Sequence, residues 1–381
     1  MVQWRSVALV LTLFCCASAA SGEERASPAR AVLDDIALSP DGRGFILRSS
    51  GRPWIPWGFN YDHDDTSGER LIEDYWDTEW HRVERDFREM KALGANVVRV
   101  HLQLGRFMNG VDDANAQALV RLHQLVGLAE ETGLYLDITG LGGYRPGDAP
   151  AWLETSSERD RWDAQANFWR AVAATVANST AVFCLNLMNE PAVPDRDQAT
   201  WHAPPWVNGR TYVEMLTRSP GKRPRGDIAR AWLHKMVAAV RQEDTRHLVT
   251  VGNFLIGDQA EQLPIGLSPD ELAKEIDFLS VHLYPGSAAL TRATDALRRL
   301  HVGKPVLVEE TGPLSCSVDA LRGLMRASPS LAAGWMGFYW GGTPEQLRSS
   351  GKPQERLEGE TLQMFHELAP REQRERGPSR R

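Results

Sequence analysis

The sequence predicts a single (β/α)8 barrel with a short N-terminal β-hairpin. Eight short apolar runs alternate with segments of helical period between residues 55 and 340. Neither a solenoid-length repeat nor a low-complexity linker divides residues 35–369, so one domain is expected there. No glycine-rich phosphate turn follows the first run, which argues against the alternative of a doubly wound sheet.

The chain opens with Arg5, an apolar run over 7–14 and the small-residue triplet Ala17-Ser18-Ala19. Residues 1–19 read as a secretory signal peptide, because the run is too short to span a bilayer. A lipoprotein anchor at Cys15 or Cys16 is the weaker alternative. The expected location is therefore secreted or periplasmic, with no membrane span in the mature chain. Residues 20–34 read as a flexible lead-in.

The hairpin follows, with Ala37-Leu38 and Phe45-Ile46-Leu47 flanking the turn Pro40-Asp41-Gly42. The eight runs are 55–60, 97–101, 134–138, 182–188, 248–251, 278–282, 306–308 and 334–340. Several are apolar almost throughout, as parallel strands buried on both faces are. Five helical stripes stand between them. They are carried by Trp80, Val83, Phe87 and Met90; by Leu119, Leu122, Leu125 and Val126; by Phe168, Val172 and Val176; by Ile228, Trp232, Met236 and Val240; and by Leu290, Ala293, Leu297 and Leu300. Residues 370–381 hold five arginines and no apolar residue, and read as a disordered charged tail.

Composition narrows the function classes. With 43 Lys+Arg against 50 Asp+Glu, the net charge is −7, which excludes a strongly basic nucleic-acid binder. Only Cys184 and Cys316 remain after the signal segment, too few for a disulfide scaffold, and Cys184 lies in an apolar run. A buried free thiol is expected, with a Cys184–Cys316 disulfide in an oxidising compartment as the alternative, and the chain is expected to be a monomer.

In a barrel of this kind the chemistry sits at the C-terminal ends of the strands. Those ends carry Asn60, Tyr61, Asp62 and His63; Arg99 and His101; Asp137 and Thr139; Asn189 and Glu190; Asn253; His282 and Tyr284; Glu309 and Glu310; and Trp340. Two carboxylates facing each other across the mouth suit glycoside hydrolysis, one as acid on the leaving oxygen and the other as nucleophile. Glu190 and Glu310 end the fourth and seventh runs, and opposite walls can bring them to about 5 Å. Arg99 and Tyr284 are expected to keep Glu310 ionised, and a desolvated Glu190 to stay protonated. No cofactor or metal is expected, since Tyr61-Asp62-His63-Asp64 offers only a scattered ligand set.

Leu187-Met188-Asn189-Glu190-Pro191 resembles the Asn-Glu-Pro motif of glycoside hydrolase family 5. Val306-Leu307-Val308-Glu309-Glu310-Thr311-Gly312 resembles that family's nucleophile strand, and its register selects Glu310, so Glu309→Ala is expected to keep substantial activity. Asn96-Val97-Val98-Arg99 resembles the second strand with its active-site Arg, His282-Leu283-Tyr284 the His-x-Tyr of the sixth, and Trp340 the sugar-stacking Trp of the eighth. The resemblance spans roughly residues 40–345 and implies a retaining β-glycoside hydrolase. The implied site is Glu190 and Glu310, supported by Arg99, Asn189, His282, Tyr284, Trp340, His101 and Asn60. The sequence departs from the family in two places: no His follows the third strand, where Asp137, His101 or His63 could stand in, and Thr311 replaces an aromatic. The favoured substrate is a β-1,4-mannan or β-1,4-glucan cut internally. An exo-acting β-glycosidase on oligosaccharides and a non-catalytic carbohydrate-binding barrel are the alternatives. The long segment 192–226, with Trp201, Trp206 and Tyr212, could offer stacking faces at the barrel mouth or fold over its own aromatics.

Overall fold

A computed structural model describes residues 33–64, 70–145, 147–203, 209–255, 262–286 and 290–370. The expected signal segment, nearly all of the lead-in and the tail from residue 371 lie outside the described residues.

The barrel runs β1 (Trp57–Tyr61), α1 (Trp80–Ala92), β2 (Val97–Gln103), α2 (Ala116–Thr132), β3 (Tyr135–Gly142), α3 (Glu158–Val176), β4 (Val182–Asn186), α4 (Arg225–Glu243), β5 (Leu248–Thr250 and Gly252–Phe254), α5 (Pro269–Leu272), β6 (Leu279–His282), α6 (Leu290–Arg299), β7 (Val306–Thr311), α7 (Val318–Ala327), β8 (Gly334–Gly337) and α8 (Pro353–Leu368). All strand pairings around it are parallel. The first piece of β5 pairs with β4 and the second with β6. Only Val251 separates the two pieces, so the sheet closes on itself.

Strands buried on both faces explain the near-continuous apolar runs: every residue of β1, β2, β3, β4, β7 and β8 is buried. Helix boundaries follow local chemistry. Asn115 caps α2 by accepting from the backbone N–H of Gln117 and Ala118, and Gly133 ends it at φ 67°. The five expected helices are present. Three more, α5, α7 and α8, carry signals that the stripes above leave out: a Ser268 cap with Pro269 at the first turn, a Ser317 cap before Leu321, Leu324 and Met325, and Pro353 at the first turn before Leu362 and Phe365.

The hairpin is present as Ile36–Leu38 against Phe45–Leu47, extended by a third strand, Pro53–Trp54. Phe45 and Trp54 pack on Phe183, Phe278 and Tyr135 at the N-terminal ends of the barrel strands. The small sheet thus closes the bottom of the barrel and leaves the top for chemistry. Cys184 and Cys316 are both free thiols.

Candidate active site

Successive strand residues normally face opposite sides. Glu309 and Glu310 instead both face the barrel interior. Val281 pairs with Val308 but His282 with Glu310, and on the other side Val308 pairs with Trp335 but Thr311 with Gly337. The one extra residue in β7 is a β-bulge, which re-aims a side chain.

Glu310 is buried and held by side chains from two other strands, β2 and β6. Arg99 Nη1 on β2 donates to its Oε1, and the Tyr284 hydroxyl donates to its Oε2 at 2.8 Å. His282 Nδ1 on β6 lies 3.4 Å from the same Oε2. His282 also bonds Glu190 Oε1 through Nδ1 at 2.6 Å and Glu309 Oε1 through Nε2 at 3.0 Å. Both ring nitrogens therefore face carboxylates. Burial works against the charged ring, but Glu310, Glu190 and Glu309 outweigh it and raise His282 to about 10. The facing atoms of Glu190, His282 and Glu310 all lie within 4.8 Å of one another.

Arg99 organises the opposite side. It donates to Asn60 Oδ1 at 2.9 Å, Asn189 Oδ1 at 2.9 Å and Thr139 Oγ1 at 2.8 Å, and lies 3.5 Å from Glu309 Oε1. Asn60 is oriented by donating to the Glu309 carbonyl at 2.8 Å. Burial and the Arg99 charge drop His101 to about 3, so its ring is neutral. Its Nε2–H then donates to Asn60 Oδ1 at 3.1 Å, and its Nδ1 accepts from the Tyr144 hydroxyl at 2.9 Å.

Eight of the nine expected site residues thus converge: Glu190, Glu310, Arg99, Asn189, His282, Tyr284, His101 and Asn60. His101 reaches the site where a third-strand His is missing. Asp137 lies deeper, where burial and the Glu309 charge push its carboxyl up to about 8. Thr311 is buried and donates to the Leu283 carbonyl at 2.7 Å.

Trp340 is a correction. It is 2% exposed, and its ring packs on Phe59 at 5.8 Å in the barrel core. The sequence run extends to residue 340, but β8 ends at Gly337 and the chain turns, which carries the indole under the rim. Phe338 stands at the mouth instead, its ring centre 6.5 Å from that of Tyr284, 6.4 Å from Tyr212 and 6.3 Å from His63.

Glu309 is the residue that sequence reasoning undervalued. It is fully buried, accepts from Asn186 Nδ2 at 2.8 Å, and pairs with His282 and Arg99. Burial opposes its charge, yet Arg99 and His282 bring it down to about 2. The Glu-Glu pair itself is the visible signal, since two adjacent carboxylates in a buried strand both need partners. For Glu310 the balance differs. Burial, reinforced by the Glu190 charge, raises it above the ordinary carboxylate value against the pull of His282, Arg99 and Tyr284. The expectation from Arg99 and Tyr284 alone left out that desolvation.

The segment after Glu190 divides in two. Trp201 is buried between the guanidinium groups of Arg161 and Arg218, at 4.6 and 4.8 Å from its ring, so it belongs to a satellite cluster. Tyr212 stands by the site, 5.1 Å from Tyr144. Trp206 lies outside the described residues.

Residues 60–343 match the model of the cellulase family, glycosyl hydrolase family 5. The chain belongs to this family. This family 5 glycosyl hydrolase is 26% identical over 325 residues to mannan endo-1,4-β-mannosidase A of Emericella nidulans, covering 77% of this chain and 74% of that protein. Its fold matches the exo-β-1,4-mannosidase Op5Man5 from Opitutaceae bacterium strain TAV5 with a TM-score of 0.66 at 21% identity. The match covers 89% of this chain but only 63% of that one. A GH5_18 protein from Streptomyces cattleya, solved in complex with GlcNAc, matches with a TM-score of 0.60 at 17% identity, covering 86% of this chain and 83% of that one.

Proposed function

We propose that the protein hydrolyses β-mannosidic linkages with retention, using Glu310 as nucleophile and Glu190 as acid and base. The observation that carries this reading is the Glu190–His282–Glu310 cluster, whose facing atoms lie within 4.8 Å of one another. That spacing fits the roughly 5 Å of retaining enzymes and leaves no room for the water an inverting enzyme seats between its carboxyls. The Glu310 carboxylate attacks the anomeric carbon while Glu190 gives its proton to the departing oxygen. Water then attacks the glycosyl-enzyme, and Glu190 takes back a proton as the Glu310–sugar bond breaks.

The buried charges support these roles. Glu309 and Glu310 as anions balance Arg99 and His282 as cations, and the cluster is neutral when Glu190 carries the proton. Phe338 offers the sugar an apolar face beside Tyr284. The mannose preference rests on the mannanase and mannosidase relatives, and β-1,4-glucan is the competing backbone. The proposed secretion rests on the signal-like first 19 residues.

Hydrolysis of mannose and glucose oligomers, with Glu190→Ala beside the parent protein, tests this reading. The variant is expected to lose most of its activity on oligosaccharides and less on a dinitrophenyl glycoside. Azide should restore turnover with a β-configured product, because an activated leaving group barely needs the acid. Equal losses with no azide effect would remove Glu190 from this role.

A further inference from the structure

Glu310 must face the anomeric carbon of the sugar it attacks, with the leaving oxygen towards Glu190. That sugar's non-reducing end therefore points away from Glu190, past Asn60 and His101 towards the ends of β1 and β2. Asp62 and His63 stand next along β1, and the chain that leaves Glu190 comes back to meet them. Glu190–Ala192 pairs with Val213–Met215, which anchors the return beside Glu190. Just before that pairing, the Thr211 N–H donates to the Tyr144 carbonyl at 2.9 Å, past the end of β3. Arg210 Nη1 then lies 3.5 Å from Asp62 Oδ2. One segment thus crosses the mouth from β4 past β3 to β1.

What it closes is buried. Asp62 and Arg210 are each 2% exposed, and His63, bonded to Asp62 Oδ2 through Nδ1 at 2.7 Å, is stacked on Tyr339 at 3.8 Å. A polymer threaded through the cleft would need this end open. Asp62 Oδ1 is buried with no hydrogen-bond partner among the described residues, and the neutral His101 ring lies 3.7 Å away with its Nδ1 turned to the Tyr144 hydroxyl. A buried carboxylate oxygen left in this state is costly unless something donates to it. Sugar hydroxyls donate to a carboxylate and accept from a guanidinium.

We infer that Asp62 and Arg210 bind the hydroxyls at the non-reducing end of a chain-terminal β-linked sugar, so that the enzyme removes single sugars from chain ends. This inference rests on the β-mannosidase reading above. It replaces the internal cleavage that sequence alone favours, because residues 210–215 bring Arg210 onto Asp62 at the end where a second sugar would have to lie.

Mannopentaose reduced at its own reducing end with borohydride provides the test, with early products sized. Free mannose and the reduced tetraose are expected first. Asp62→Asn is expected to lower kcat/KM on an aryl β-mannoside about 10²- to 10³-fold, since a site built to bind a hydroxyl loses heavily when one partner goes. Its melting temperature and circular dichroism show whether the fold survives; if it does not, Arg210→Lys is measured in its place with the same expectation of a large loss. Early release of reduced di- or trisaccharide would overturn the inference and leave the β-mannosidase reading intact. An unchanged kcat/KM in a folded variant would overturn it too. Failure to cut any mannose oligomer would instead overturn the β-mannosidase reading.

Discussion

At the scale of single residues, Glu309 has the consequence least visible in the sequence. His282 keeps its second proton because carboxylates face both ring nitrogens, and Glu309 supplies one of them. Glu309→Gln keeps the shape and removes that charge. The buried ring then loses its proton more readily, and Glu310 loses a cation that had been lowering its pKa. A nucleophile must be ionised, so the acid limb of the kcat/KM profile should move to higher pH, by on the order of one unit, with about a tenfold loss on that limb. A pH–rate profile on an aryl glycoside checks this; an unmoved limb would reduce Glu309 to a structural part. The rim aromatics are the second case. Phe338→Ala should lower kcat/KM roughly 5- to 50-fold through lost sugar contact. Trp340→Ala should instead cost about 3–5 kcal/mol of stability, as large-to-small core changes do, with little effect on kcat per folded molecule. Melting temperature and kinetics measured on one preparation of each variant separate the two. The sequence singled out Trp340 after β8, a ring that packs in the core, and passed over Phe338 nearer the strand end. An apolar run does not reveal where its strand stops, and an indole reads equally well as core or platform.

Elements were legible where burial writes a pattern and obscure where one residue changes the register. The eight strands stand out because both faces are covered, and Arg99, His282 and Glu190 stand out because each ends or follows such a run. The bulge in β7 leaves no mark on the apolar pattern, yet it turns Glu309 inward beside Glu310. The break in β5 is similar: a run that reads as one strand is two pieces, joined at Val251 and resuming at Gly252. A Cβ on Gly252 would stand 2.1 Å from the Asn189 carbonyl oxygen, 2.8 Å from Glu309 Oε1 and 3.0 Å from His282 Nε2. The backbones of β5 and the turn carrying Glu190 approach this closely only because the side chain is absent. Gly252→Ala should therefore push the Asn189–Glu190 turn and part the His282–Glu309 bond. The expected result is a fall in kcat of about 10²-fold or more, since small displacements of catalytic groups are costly. Steady-state kinetics beside a melting curve test it, and a folded variant with unchanged kcat would show that the turn yields at no cost.

Across the whole molecule, the two ends of the barrel divide stability from chemistry. The top holds buried charges gathered around the proposed reaction site, each of which costs desolvation. The bottom is apolar and closed by the small N-terminal sheet, where Phe45 meets Phe183 at 5.0 Å and Phe278 at 5.1 Å, both edge to face. Phe45 is 2% exposed and far along the strands from Glu190 and Glu310, which stand at the opposite ends of β4 and β7. Phe45→Ala should thus remove about 3–5 kcal/mol by leaving a cavity between the barrel and its cap. In a chain of this size that corresponds to a drop in melting temperature of roughly 4–7 °C. Well below the transition, kcat/KM should change by less than about twofold, because nothing that touches the substrate has moved. Calorimetry and kinetics on the same sample measure both. A large kinetic loss at 20 °C in a fully folded variant would mean that the cap holds the strand ends in register, and that bottom and top are mechanically coupled through the barrel.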